Sequence, residues 1–426
     1  MAGSLSSNKA QMQPLASLEQ LVAQSASYVW QQAAAQKLFE QGLPERRAPQ
    51  WQHTSLSDLL VSPIHPCVSQ TLNHDLFAQL NLPVDGYRLV FFDGQYQVRL
   101  SDWISHAKVT VLNELDDLQG QSLRDAISED ALSLLVDAVA TAGAYIQLPS
   151  EKTLDKPIYL IHINSGNCGE MCAYRHHVCL HAGAKATVIE HHLSLNGSGG
   201  ASVSRLTMDL AKGSHCDHIK LVEAGENQQH FAHNDIQLAA SASAKSHLFL
   251  LSGKLIRHQT SSRLAGENGN ASMNTLALPI GTQRIETRTL LEHQAAHCES
   301  EQLHKLIGQG QSQSVFDGMI WVSPDALKTN GQMDNHNLLL SEDARILCQP
   351  KLEIYADDVK CSHGATTGEI DPEQLFYLQA RGIERRQAEQ MLIHAFAADV
   401  VLSMNHDKVR EHVLARVTEL LGGGDA

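Results

Sequence analysis

Short β-rich runs that return behind similar small-residue lead-ins are the feature that most limits how this chain can fold. Between Ala144 and about Gly368 they read P-I-Y-L-I-H-I, A-T-V-I-E-H-H-L-S-L, C-D-H-I-K-L-V, S-H-L-F-L-L, T-L-A-L, F-D-G-M-I-W-V and K-L-E-I-Y. Stretches rich in Gly, Asn, Ser and Ala, such as N-G-S-G-G-A-S and G-E-N-G-N-A-S, separate them. The lead-ins A-G-A-K-A, A-K-G-S-H, A-S-A-K-S and N-G-N-A-S recur at roughly 25–30 residues, a solenoid-like period. Each unit would bury its apolar face against the next, which gives a stacked β-helix. The competing architecture is a β-sandwich with irregular loops, but the runs are too many for one sandwich.

Helical patterns flank this region. To about residue 80, Leu18, Leu21, Val22, Val29, Ala33 and Phe39 keep 3- and 4-residue spacing until Gly42 and Pro44 stop the run. P-E-R-R-A-P-Q-W-Q-H-T then reads as a surface connection around Trp51. Asp93-Gly94 lies between two strand-like runs, as in a tight hairpin. Ser128 to Thr141 is helical again and ends at Gly143. At the other end, Asp371-Pro372 supplies an N-cap and a proline at the first helical position. Ala388, Met391, Leu392, Ala395, Phe396 and Val400, then Val409, Val413, Val417, Leu420 and Leu421, form an apolar helical stripe. The stripe either packs on the solenoid's end or docks a partner protein. The expected division is an N-terminal helical or mixed region at 1–143, a β-helix core at 144–368 and a C-terminal helical domain at 369–426. The expected fold class is mainly β.

Charge narrows the function. There are 32 Lys and Arg against 47 Asp and Glu, a net charge of −15. Such a chain repels phosphate backbones and anionic membranes, so neither nucleic acid nor a membrane is an expected partner. The N-terminus lacks the apolar core of a secretory signal, and no run is long enough for a membrane helix, which predicts a cytoplasmic protein. In that setting the 8 cysteines read as free thiols, mostly buried. Most of the 24 histidines read as exposed polar residues.

Familiar catalytic motifs are missing. There is no G-x-x-x-x-G-K-[ST], no G-x-S-x-G and no H-E-x-x-H. Asp357 and Asp358 are adjacent, so on a strand they point to opposite faces and cannot converge on one bond. Glu190 and His192 share a strand face and are expected to be exposed. Thiols and imidazoles remain. Cys361-x-His363, in Y-A-D-D-V-K-C-S-H-G-A-T, has the spacing that puts both side chains on one face of a strand. Together they could share one iron or one cluster edge, and Lys360 would favour the thiolate. Cys216-x-His218 has the same spacing, so spacing alone does not single out a ligand pair.

The surroundings do. K-L-E-I-Y-A-D-D-V-K-C-S-H-G-A-T-T-G-E-I-D resembles the SufB/SufD family of iron–sulfur assembly proteins, as do D-A-L-K-T-N-G-Q-M-D-N-H-N-L-L-L-S-E-D-A and R-G-I-E-R-R-Q-A-E-Q-M-L-I-H-A-F-A-A-D-V. The stretches P-E-R-R-A-P-Q-W-Q-H-T, F-A-H-N-D and L-I-R-H-Q-T-S-S-R-L-A-G-E-N match the SufD-like branch, with Gln52-His53 in place of the more usual Lys-Tyr. The resemblance implies a right-handed parallel β-helix between helical regions, and a non-catalytic scaffold working with a SufB-like scaffold and a SufC-like ATPase. It implies that the ATPase docks on the C-terminal helices, around Met391, Leu392, Ala395 and Phe396. It places His363, with Cys361 beside it, at the interface with SufB, where a transient iron–sulfur cluster is shared. Flavin in the complex is a further implication, although nothing here marks a flavin site. Solenoid edges and ends also invite pairing, which leaves a homodimer of the isolated chain open.

Overall fold

The structure, a computed structural model, describes residues 16–422 apart from 46–47, 55, 60–63, 68–71, 81, 116–122, 124–126 and 196–198. The reading of the extreme N-terminus therefore lies outside the described residues.

The repeating runs form a parallel β-solenoid of two facing ten-stranded sheets. The chain alternates between them, so strands neighbouring in space are one rung apart in sequence. In the second sheet, strands begin at Lys185, His215, Ser243, Asn270, Glu299, Asn330 and Lys360, in keeping with the repeat seen in the sequence. The small-residue lead-ins are the corners entering these strands. The first six of these corners each place one residue at positive φ: Gly183, Gly213, Ser241, Asn268, His297 and Lys328. Glycine meets this requirement without strain at the first two corners. Corner amides also bond along the stack, Gly183 to the carbonyl of Lys212 and Gly213 to that of Ala240. The ladder ends where the Lys328 amide reaches the Asp358 carbonyl.

Alternation then fixes two faces per strand. Inward residues of both sheets form the core around Leu160, Val188, Leu206, Met208, Ile236 and Leu264. The outer face of the first sheet, at Met171, Ala173, Val203, Phe231 and Leu255, is covered by helices 16–25, Val29–Gln41 and Ala131–Val139. The outer face of the second sheet, from Ile189 to Leu338, is covered by helices Arg385–Leu402 and Asp407–Gly422. The hairpin also forms: Tyr87–Phe92 pairs with Gln95–Tyr96, with Asp93 and Gly94 both at positive φ. Tyr87–Phe92 also extends the second sheet by pairing in parallel with Ile158–Asn164.

Several expectations are corrected. Cys67 and Cys172 form a disulfide, and of the remaining cysteines only Cys216 and Cys298 are buried. The two sulfurs meet because residues 65–66 pair with Glu170–Met171 beside them. Many histidines are core residues, among them His162, His176, His192, His230, His258 and His304. Glu190 and His192 do share a face, but that face is the solenoid interior. His218 is likewise buried. Trp51 is no surface residue: it is 3% exposed, with the buried guanidinium of Arg257 stacked 3.9 Å above its ring. That guanidinium also donates to the Gln50 carbonyl at 2.9 Å, so the connection is pinned to the first sheet.

Candidate functional site

Cys361 and His363 lie on the last strand, Lys360–Gly368, which pairs in parallel with Asn330–Leu339. Register places Cys361 beside Gly331 and His363 beside Met333. Met333 is fully buried in the interior, so both candidate ligands continue the inward-facing files. No further rung covers them among the described residues. Cys361 is half-buried and packs against the apolar cluster that includes Phe316 and Met333, whereas His363 is exposed. The pair therefore sits at the open mouth of the solenoid, one side chain facing inward and the other reaching solvent.

Glycine at 331 is what opens space beneath the thiol. A Cβ at that position would stand 3.5 Å from Cys361 Sγ, 3.3 Å from Ser300 Oγ and 3.7 Å from His293 Nε2. His293 Nε2 and Ser300 Oγ are 2.8 Å apart. Burial holds the His293 imidazole down at about 4, so it is neutral near pH 7. Burial also pushes the Cys361 thiol up, against a smaller opposing effect of the Gly331 backbone. This replaces the expectation that Lys360 favours the thiolate: Lys360 is exposed, while Cys361 faces the apolar interior. Ser300 and His293 were missed in the sequence. Register brings them in: Ser300, Gly331 and Cys361 occupy equivalent places on successive strands.

The mouth has an apolar rim. Leu347, Ile354 and Tyr355 are exposed large apolar residues, with Tyr355 at 59%. Arg345–Ile354, the last strand of the first sheet, contains no buried residue. Asp357 and Asp358 are both exposed in the turn between the two final strands.

Deeper inside, the interior is charged. Glu190 accepts from Asn234 at 2.7 Å, lies 2.9 Å from His218 Nε2 and 3.4 Å from Lys220 Nζ. Glu190 and Lys220 are both fully buried. Burial alone would raise the Glu190 pKa, but Lys220, His192 and His218 hold it well below the ordinary value. Nearby, the Ala144 amide donates to His176 Nδ1, so the His176 proton sits on Nε2 and points at His162 Nε2, 2.8 Å away. His162 then carries its proton on Nδ1, which faces the His191 carbonyl at 3.2 Å. His192 stacks on His162 at 4.1 Å, and neither of its ring nitrogens has a hydrogen-bond partner.

The C-terminal stripe divides between two surroundings. Val400, Val409, Val413, Val417 and Leu421 are buried against the second sheet, and Ala388 is also buried. Phe396 is partly buried there, with Lys305 Nζ 4.5 Å above its ring. Met391 and Ala395 are exposed and Leu392 is half-buried. Phe376 and Tyr377 on helix Pro372–Ala380 are also exposed. Among the described residues, two trios of metal-ligating residue types lie close together: Cys67, Asp93 and Cys172, whose two sulfurs are already joined in the disulfide, and His191, Glu223 and His412. Neither includes Cys361 or His363. No helix of the described residues is long and apolar enough to cross a membrane.

Comparison with known proteins agrees with this architecture. Residues 161–396 match the SufBD core domain of the SUF system for FeS cluster assembly. The chain is 43% identical over 392 residues to the iron–sulfur cluster assembly protein SufD of Escherichia coli strain K12, covering 91% of this chain and 92% of that one. It is 28% identical over 388 residues to a SufBD family protein of Synechocystis, covering 87% and 86%. Similarity to the SufD of Bacillus subtilis is 24% over 296 residues, covering 68% and 66%. The chain belongs to the SufBD family of iron–sulfur cluster assembly proteins and serves in that assembly.

Proposed function

We propose that this chain is a non-catalytic scaffold subunit of a SufB–SufC–SufD complex in the cytoplasm, and that it supplies one half of an interfacial site where iron enters and the nascent cluster forms. The observation that carries this reading is the open last rung, which points Cys361 and His363 along the interior files at a strand that no other strand covers among the described residues. Two donors are too few to hold a cluster alone, which is why the site is read as half of one, completed by a SufB-like partner. The exposed apolar rim of Leu347, Ile354 and Tyr355 suits burial against a second protein. A SufC-like ATPase docks on the exposed side of the C-terminal helices, at Met391, Leu392 and Ala395 with Phe396 at the margin. Nucleotide binds the closed state of that ATPase better, and this difference in affinity drives a shift of the two β-helices that exposes His363 and Cys361. Iron and the cluster are cargo here, not resident cofactors. The reading assigns no residues to a flavin in the complex.

The test is His363→Ala in the assembled complex. Loss of bound iron and of cluster formation, with the complex intact, is the expected result; unchanged iron and clusters would remove the ligand role. A second reading, a purely structural module that organises the ATPase, is favoured by the raised thiol of Cys361. It predicts normal cluster formation when Cys361 and His363 are both replaced. Deletion of the helices after Asp371 should abolish ATPase binding under either reading.

A further inference from the structure

His191, Glu223 and His412 meet where the last helix lies on the second sheet. Register puts His191 beside Leu221 and Glu223 beside Leu193, so the two are diagonal neighbours on the outer face of adjacent strands. His412 comes from helix Asp407–Gly422, far along the chain. His191 Nε2 and His412 Nε2 each lie 2.8 Å from the same oxygen, Glu223 Oε2. All three ligand atoms fall within 4.8 Å of one another. We propose that His191, Glu223 and His412 form a resident site for a divalent transition ion of the zinc type, joining the C-terminal helix to the early rungs of the solenoid.

The donor chemistry fits. Two imidazoles and one carboxylate form a familiar zinc-binding set that leaves a fourth position for water. Tyr159 Oη lies 2.8 Å from His191 Nδ1 and fixes the ring so that Nε2 faces Glu223. A hydroxyl serves either tautomer. It donates to Nδ1 while Nε2 keeps its proton. It accepts from Nδ1 when an ion takes Nε2, as outer-shell partners of ligating histidines do. Arg416 opposes the ion, because its Nε is 2.9 Å from Glu223 Oε1. It occupies the other carboxylate oxygen and leaves Oε2 as a single ligand atom. It also pairs with Glu419 at the surface, a second carboxylate that can hold it away from an ion.

Cobalt(II) is the probe, added to the purified full-length chain. One equivalent should bind with visible d–d bands and no thiolate charge-transfer band, which separates this site from any cysteine site. His412→Ala should lose that equivalent, and so should Glu223→Gln, which retains the shape of the buried contact. Arg416→Gln, which removes only the competing cation, should bind at least as tightly as the parent. X-ray absorption on the zinc-loaded parent chain should show nitrogen and oxygen neighbours alone, a readout that needs no variant to fold. Absence of d–d bands, a sulfur shell, or unchanged uptake in a folded His412→Ala chain would overturn the proposal.

Discussion

The two ends of the solenoid are finished differently. At the first end, Ile158–Asn164 is buried along its whole length, with Tyr87–Phe92 paired on its outer edge. At the last end, neither Arg345–Ile354 nor Lys360–Gly368 contains a buried residue. Yet the files that run between them are continuous. His218, Ser246, Met273, Gln302 and Met333 are buried members of the file that ends in exposed His363. Burial in a stacked repeat depends on having a neighbour on both sides, not on residue type. The first end is closed by its neighbours, while the last leaves its final residues accessible.

The comparison is tested most severely at the inner charges. Lys220→Met would leave Glu190 buried with only neutral donors and histidines. The expected loss is about 3–5 kcal/mol, the usual cost of removing one member of a buried ion pair, seen as a lower midpoint in urea unfolding. A change below about 1 kcal/mol would show that water reaches Glu190, and that the inner rungs are as open as the mouth.

A second test uses acid. Burial holds His176 and His304 at about 3, well under the ordinary histidine value of 6.5. Between those values the unfolded chain binds more protons than the folded one. Stability from these neutral imidazoles is therefore full above pH 6.5 and falls as pH drops toward 3. His304→Gln should flatten this acid limb, by about 1–3 kcal/mol between pH 6.5 and 4. An unchanged limb would mean that His304 is protonated in the folded state.

The smallest effect belongs to the rim. Tyr355→Ser should leave stability within about 0.5 kcal/mol of the parent, as exposed substitutions usually do. It should nonetheless weaken association with a SufB-like partner, or self-association of the isolated chain, measured by light scattering. A large stability loss would mean that the rim packs on its own chain.

The repeat makes the solenoid legible in the sequence, and the Asp93-Gly94 hairpin and Asp371-Pro372 helix start are equally plain. What alternation could not reveal was which face is inner. Here both sheets are covered outside by helices and filled inside, so either face carries buried residues. That is why Glu190 and His192 were expected at the surface. The same ambiguity affected the C-terminal stripe, where Val400 and Val413 pack on the sheet while Met391 and Ala395 face out. Cys361 and His363 were legible as a pair from their spacing. Their setting over Gly331, Ser300 and His293 required the register, which the uneven lengths of the repeats concealed.

The C-terminal helices have a mechanical consequence. After leaving the last rung, the chain doubles back along the second sheet. Lys305 grips Asp399 and the Phe396 carbonyl, His247 meets Ser403, and Glu223 meets His412. The helices thus act as a splint glued at intervals along one side of a rod. A load applied to a splint is shared by every joint beneath it. A pull on these helices would not end at the last rung; it would be shared along the second sheet as far back as Glu223.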